Sequence, residues 1–100
     1  MNPAINTPED AAATLRIEGE LTIFRTDELW PALSAEPAPT EVDLSAVTDI
    51  DTAGVQMLLA ATRAARARRQ SMRLTGHSDT VLDVLRLLGV HEQLAAEPTP

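Results

Sequence analysis

The residues whose types and spacing could do chemistry are concentrated between positions 49 and 54. Asp49, Asp51 and Thr52 stand directly before an apolar-periodic stretch that is typical of a helix. A helix start presents unpaired N–H groups and the positive end of the helix dipole, so a hydroxyl can cap it and a phosphate is tolerated there. A phosphate on Thr52 would add about −1.5 to −2 charges beside two carboxylates and would repel an acidic or closely packed partner. Thr52 is therefore a candidate switch residue, and the alternative is that Thr52 or Asp51 serves only as the N-cap.

The remaining candidates for chemistry are weaker. His77 and His91 have no ligand partners at metal spacing and form no nucleophile–base pair with a serine, so both are expected at the surface. Asp43 and Asp49 could imitate a metal-binding carboxylate pair, but no other ligand lies near them in the sequence. The chain contains no cysteine and no glycine-rich phosphate loop. We expect no catalytic residue, no metal and no cofactor.

The first half of the chain predicts strands around one helix. Leu15 and Ile17, then Leu21 and Ile23, alternate with polar or small residues, which predicts two short strands joined or bulged near Gly19. A helix is predicted over residues 26–35, kinked or delayed by an internal proline. After a proline-containing loop, residues 41–44 predict a strand and residues 49–51 a turn.

The second half predicts two helices separated by a strand. A long helix starts at residue 52 or 53 and ends near 69, with an inner stripe formed by Val55, Leu58, Leu59, Thr62 and Ala65. Residues 71–75 alternate as a strand. Ser78 is the predicted cap of a last helix over 78–88, and Gly89 its left-handed end. Strand, helix and strand in sequence imply a right-handed crossover between parallel strands, and the whole predicts an α/β sheet packed against helices.

Two features of the long helix leave alternatives open. Its outer face, counted from Val55, is almost uncharged and consists of Met57, Ala60, Ala61, Ala64, Ala67 and Arg68. This face is either a smooth docking surface next to Thr52 or a consequence of the high helix propensity of alanine. Gly54 costs about 1 kcal/mol of propensity in the first turn, so either a neighbouring loop or partner backbone approaches it, or the helix packs tightly on the sheet.

The chain resembles a STAS domain over residues 15–94. The resemblance rests chiefly on residues 42–55, with the sequence VDLSAVTDIDTAGV, which is similar to the family signature of a strand ending in Asp-Leu-Ser and an Asp-Ser/Thr-x-Gly helix start. Residues 19–21 and 85–90 resemble the strand junction and the last helix of the family. The resemblance implies a STAS-type mixed sheet of four to five strands packed against helices. It places the domain at residues 12–95, between disordered tails at 1–11 and 96–100.

The resemblance also implies a function in protein binding. STAS domains include anti-sigma factor antagonists, which a cognate kinase phosphorylates on the hydroxyl that follows the Asp, here Thr52 after Asp51. The implied partner is a kinase-type anti-sigma factor or a chemotaxis-type regulator. Alternatively, the chain is an accessory subunit of a bacterial phospholipid-transport ABC ATPase, which Thr52 contacts without being phosphorylated. The predicted partner-binding residues are Asp49, Asp51, Ala53 and Gly54 around the helix start, together with Met57 and Ala64, which are chosen from the uncharged outer face of the helix.

The composition narrows the remaining classes of partner. The chain has 100 residues, a net charge of −7 and only two aromatic residues, Phe24 and Trp30, which disfavours nucleic-acid binding. The one basic cluster, between residues 63 and 69, is interpreted as offsetting the negative end of the helix dipole. The sequence contains no run of 18 or more apolar residues and no signal-peptide pattern, so we expect a cytoplasmic protein that does not insert into a membrane. A small enzyme or nucleotide-binding domain is the least favoured alternative.

Overall fold

A computed structural model describes residues 14–94, which form a three-stranded parallel sheet covered by helices. The strands are β1 (Thr14–Leu21), β2 (Glu41–Ile50) and β3 (Arg73–Thr75), in the spatial order β1-β2-β3. Both pairs of strands are parallel, as the predicted crossovers require. The described residues thus contain three of the predicted four to five strands, and the antiparallel pairing of a mixed sheet is not found among them. The predicted tails at 1–11 and 96–100 lie outside the described residues.

The edge strand β1 corrects one expectation. It is a single strand whose pairing with β2 shifts register after Arg16 and again after Gly19, so the predicted bulge near Gly19 is confirmed. The predicted second strand through Ile23 is wrong, because Ile23–Arg25 form a 3-10 helix that leads directly into α1. A period-two pattern of two apolar residues does not distinguish a strand end from a helical turn.

The central strand β2 runs six residues beyond its predicted end at Leu44. At each of the two register shifts, β2 contains one residue more than the paired stretch of β1. The buried residues of β2 therefore do not alternate strictly, and they include both Val47 and Ile50. The predicted turn at residues 49–51 is therefore the last part of the strand followed by a helix start.

The helices are α1 (Thr26–Leu33), α2 (Thr52–Ala67) and α3 (Asp79–Leu87), and each lies within two residues of its predicted bounds. Pro31 lies inside α1. The Ser78 hydroxyl accepts a hydrogen bond from the Val81 N–H at 3.2 Å, and Gly89 follows α3 with φ of 73°, which confirms both predicted ends. None of the helices within residues 14–94 is long and apolar enough to cross a bilayer.

One hydrophobic core holds the sheet and helices together. Ile17, Leu21, Val42, Leu44 and Leu74 of the strands are buried in the same cluster as Leu58, Val81 and Leu85 of the helices. The intervening strand residues Arg16, Glu18 and Asp43 are polar, so the helices cover one face of the sheet. This arrangement places the start of α2 at the carboxyl end of β2, beside the end of β1.

The buried face of the long helix α2 is wider than the apolar stripe predicted from the sequence. Val55, Leu58, Leu59 and Ala65 are buried and Thr62 is half-buried, as predicted, but Met57 and Ala61 are also buried, with 5% and 1% of their surfaces exposed. The expectation that they lie on the outer face is wrong, because α2 packs against α1 as well as the sheet. Ala64 is half-buried. Six residues of α2 are exposed. Five of them form a line, here named the outer ridge, which consists of Thr52, Gln56, Ala60, Arg63 and Ala67, and the sixth is Arg66.

Candidate functional site

The carboxylate of Asp51 connects two separate parts of the chain. Its Oδ1 accepts a hydrogen bond from the Gly54 N–H at 2.8 Å, which makes Asp51 the N-cap of α2. Its Oδ2 accepts from the Ile23 N–H at 3.1 Å, at the start of the 3-10 helix. Of the two candidate caps, Asp51 is therefore the one used, and it also fixes the neighbouring turn.

Thr52 is the first residue of α2 and is exposed. Within the described part of the chain its hydroxyl makes no hydrogen bond, since Asp51 already caps the helix. The side chain is thus not needed for capping and is available to a partner or a modifying enzyme. Asp49, two residues before the cap, is also exposed, so Thr52 stands in an acidic environment.

Gly54 is buried where α2 crosses the end of β1. A Cβ atom there would lie 2.0 Å from the Leu21 carbonyl oxygen and 3.1 Å from Cγ1 of Ile50. The glycine is explained by close packing of the helix start on β1 and β2, which is one of the two explanations that the sequence left open. The same close approach brings the Asp51 N–H to 3.4 Å from the Leu21 carbonyl oxygen.

The 3-10 helix presents two apolar side chains that sequence reasoning did not assign to the site. Phe24 is 87% exposed and Ile23 is 57% exposed, unusually high fractions for large apolar residues. Ile23 was missed because the alternation with Leu21 assigned it to a buried strand face. The one signal in the sequence was that Phe24, the only phenylalanine, comes directly after the alternating residues Leu21 and Ile23 and does not belong to their alternation.

Arg25 fixes the 3-10 helix to β1. Its Nη1 donates to the carbonyl oxygens of Glu18 and Glu20, each at 2.6 Å, where the strand carries its irregular pairing. Its Nε and Nη2 donate to the two carboxylate oxygens of Glu28 at 3.1 and 2.9 Å. The hydrogen bond from Arg25 holds the pKa of Glu28 below its ordinary value. Phe24 is therefore displayed on a turn that is tied to the strand on one side and to α1 on the other.

A shallow apolar groove runs between α1 and α2 beside this turn. It encloses about 560 Å³ and is lined by Thr26, Trp30, Ala53, Gln56, Met57 and Ala60. Two predicted partner-binding residues, Ala53 and Met57, line it, whereas Ala64 does not. The sequence did not identify Trp30 or Gln56 as site residues.

The remaining predicted candidates have local structural contacts. Asp43 Oδ1 accepts from the Ser45 N–H at 2.9 Å, and Oδ2 lies 3.3 Å from Nη1 of Arg16. The Ser45 hydrogen bonds are the main cause that lowers the pKa of Asp43. His77 is half-buried, with Nε2 3.0 Å from the Leu94 carbonyl oxygen. No cluster of three or more potential metal-ligating side chains occurs among residues 14–94.

Comparison with known proteins identifies the class to which this fold and site belong. The family model described as "Mlab, STAS domain" matches residues 7–96. The chain therefore belongs to the STAS domain family, as the signature around Asp51 predicted. No curated protein sequence matches it.

Several solved structures are similar to the chain, including the following two. One is a sulfate transporter family protein from Wolinella succinogenes, with 25% sequence identity, a TM-score of 0.67, and coverage of 82% of this chain and 70% of that one. The other is the anti-sigma factor antagonist SpoIIAA in its unphosphorylated form, with 21% identity and a TM-score of 0.63, covering 79% of this chain and 73% of that one. The likeness to SpoIIAA concerns the fold alone.

The close packing of Gly54 and its low helix propensity predict opposite effects of a Gly54→Ala substitution on the free energy of unfolding. Propensity alone predicts that Gly54→Ala stabilises α2 by about 1 kcal/mol. We expect instead a loss of about 1–3 kcal/mol in the free energy of unfolding, because the added methyl group overlaps the Leu21 carbonyl. Urea denaturation followed by circular dichroism measures it. The control is Ala60→Gly at an exposed position of the same helix, expected to cost about 1 kcal/mol. A Gly54→Ala protein as stable as wild type would contradict the packing.

Proposed function

We propose that this chain is a non-catalytic protein-interaction module that binds a signalling partner through the surface around Thr52. The observation that carries the proposal is the grouping of an exposed Thr52, the exposed Phe24 turn and the apolar groove, with Asp51 hydrogen-bonded to both the turn and the helix start. Energetically dominant interface residues are commonly aromatic and are surrounded by contacts that exclude water. Phe24 and Trp30, the only aromatic residues of the chain, are both at this surface.

The first candidate partner is a kinase-type anti-sigma factor or a chemotaxis-type regulator. Support comes from the exposed Thr52 hydroxyl, which makes no hydrogen bond among the described residues, and from the acidic groups beside it. A phosphate on Thr52 would be compatible with the helix N-terminus but would place like charges at the contact surface. Phosphorylation would therefore weaken docking while leaving the domain folded.

The second candidate is a permanent accessory subunit of a phospholipid-transport ABC ATPase. The apolar character of the groove favours it, because permanent interfaces are more hydrophobic than transient ones. In that case Thr52 contributes a hydroxyl contact and no phosphorylation takes place.

Substitutions of Thr52 distinguish the two candidates once the partner has been isolated with the tagged chain. We expect Thr52→Ser to bind as wild type and Thr52→Glu to remain folded, since helix N-termini favour negative charge. Loss of binding by Thr52→Glu alone supports a phosphorylation switch, whereas equal losses by Thr52→Ala and Thr52→Glu support a hydroxyl contact. Binding is measured by calorimetry. The control is Thr80→Glu, which adds the same charge to the first turn of α3. Unchanged binding by all Thr52 variants would remove this residue from the interface.

Phe24 allows a test of the surface that does not depend on Thr52. Because the ring is almost fully exposed, Phe24→Ser should change the free energy of unfolding by no more than about 0.5 kcal/mol. Partner affinity should fall by about 2 kcal/mol or more, as for a buried aromatic interface residue. The matched control is Leu87→Ser on α3, since Leu87 is 83% exposed but lies away from the site. Equal binding by the two variants would refute the proposed surface.

A further inference from the structure

A polar cleft lies beside the second half of α2, away from the apolar groove. It encloses about 280 Å³, and we name it the arginine cleft. Its lining consists of Leu59, Thr62, Arg63, Arg66, Glu92 and Gln93. A second cleft adjoins it, because Thr62 and Arg66 line both, and this one also includes Arg73. Arg63, Arg66 and Arg73 therefore line two clefts that share Thr62.

The two arginines of the cleft have no charge partner in the described part of the chain. Four other arginines are paired: Arg16 with Glu18 and Asp43, Arg25 with Glu28, Arg68 with Glu36, and Arg73 with Glu41. Arg69 and Arg86 also have no carboxylate within 4 Å among residues 14–94, but they are exposed and do not line the cleft. Arg63 and Arg66 lie within 4 Å of no carboxylate among residues 14–94, although the chain carries a net charge of −7. This includes Glu92, which lines the same cleft.

The last carbonyl oxygens of α2 have backbone partners and no guanidinium partner in the described chain. The carbonyl oxygens of Ala64, Ala65 and Arg66 accept hydrogen bonds from the backbone N–H groups of residues 68–70. No arginine side chain of the described chain donates to them. Arg66 lies in the last turn, where a cation offsets the helix dipole without a direct contact, whereas Arg63 lies before that turn and is less well explained by the dipole.

The local charge around the cleft is opposite to that of the whole chain. Helix α2 contains no acidic residue over its 16 residues, and Glu92 is the one carboxylate that lines the cleft. At physiological ionic strength, charges farther than about 8 Å are largely screened. A small anionic group in the cleft would thus experience the nearby guanidinium groups more strongly than the distant carboxylates.

We propose that the arginine cleft binds carboxylate groups of an acidic segment of a protein partner. Arg63 and Arg66 supply planar donors suited to carboxylates, the Gln93 amide adds an uncharged donor, and Leu59 provides an apolar contact for the methylene groups of glutamate. The Thr62 hydroxyl donates to the Leu59 carbonyl at 3.0 Å, so it is not counted as a donor. Arg63 also belongs to the outer ridge, so the cleft adjoins the exposed line of α2.

The net negative charge of the chain favours a short acidic peptide over an anionic membrane or a nucleic acid as the occupant of the cleft. Each arginine near an anionic bilayer contributes only about 1 kcal/mol. A broad anionic surface would also face the acidic remainder of a chain with a net charge of −7. A short peptide avoids that repulsion because it contacts the cleft alone.

The test is an NMR titration of the ¹⁵N-labelled full chain with acetyl-hexaglutamate amide at 150 mM salt, and with acetyl-hexaglutamine amide as the neutral probe. We expect saturable shifts centred on Thr62, Arg63, Arg66 and Gln93 with the acidic peptide and none with the neutral one. The double variant Arg63→Gln/Arg66→Gln should weaken binding at least tenfold. The matched control, Arg69→Gln/Arg86→Gln, removes the same charge at exposed positions outside the cleft lining and should weaken it less than twofold.

Further outcomes decide against the proposal. Equal weakening by the two double variants would show general charge attraction, and absence of saturable shifts would exclude the site. Cleft shifts produced by phosphatidylglycerol vesicles but not by the peptide would assign the arginines to a membrane. Arg63→Lys/Arg66→Lys, which keeps the charge but loses the planar donors, should bind between wild type and the glutamine variant. This titration uses no protein partner. A negative result therefore contradicts the proposal for the arginine cleft and does not affect the proposed surface around Thr52.

Discussion

The geometry of the site depends on one carboxylate with two acceptor oxygens. Asp51 holds the N–H of Gly54 at the start of α2 and the N–H of Ile23 at the start of the 3-10 helix, which are 31 residues apart in sequence. Both donors lie at positions where a helical turn leaves N–H groups without an internal partner. By satisfying both, the side chain places the exposed Phe24 turn and the exposed Thr52 on one surface, and it leaves the Thr52 hydroxyl unused for capping.

Two other contacts hold this arrangement in place. The absence of a side chain at Gly54 lets the helix start contact the Leu21 carbonyl, and Arg25 bonds two carbonyl oxygens of β1 across its irregular pairing. The bulges of β2, the end of β1 and the start of α2 are therefore parts of one packed junction. An interaction surface built on such a junction loses little conformational entropy when a partner binds. The arginine cleft lies at the far end of the same helix.

Sequence reasoning predicted the three helices and the parallel strand order, and it selected Asp51–Gly54 as a candidate site, but it did not predict the turn at Ile23–Arg25. The helices and the parallel order follow from periodicity, from the Ser78 and Gly89 signals, and from strand–helix–strand succession. The exposure of Ile23 and Phe24 could not be predicted, because it depends on a turn held by contacts from Arg25 and Asp51. The burial of Met57 was missed because one helix stripe cannot show that α1 covers a second face of α2. Both errors concern tertiary contacts that no local pattern encodes.

Amide hydrogen exchange tests the role of Asp51 most directly. In Asp51→Ala the exchange of Ile23 and Gly54 should accelerate together by about tenfold or more, since each lost hydrogen bond to the charged carboxylate contributes about 1.5 kcal/mol or more. The Val55 N–H is the internal control, because it bonds the Asp51 backbone carbonyl at 3.1 Å and does not need the side chain. Asp51→Asn, with one acceptor oxygen, should keep only one of the two amides protected. If Ile23 exchanges at the wild-type rate in Asp51→Ala, the carboxylate does not join the turn to the helix and the account is wrong.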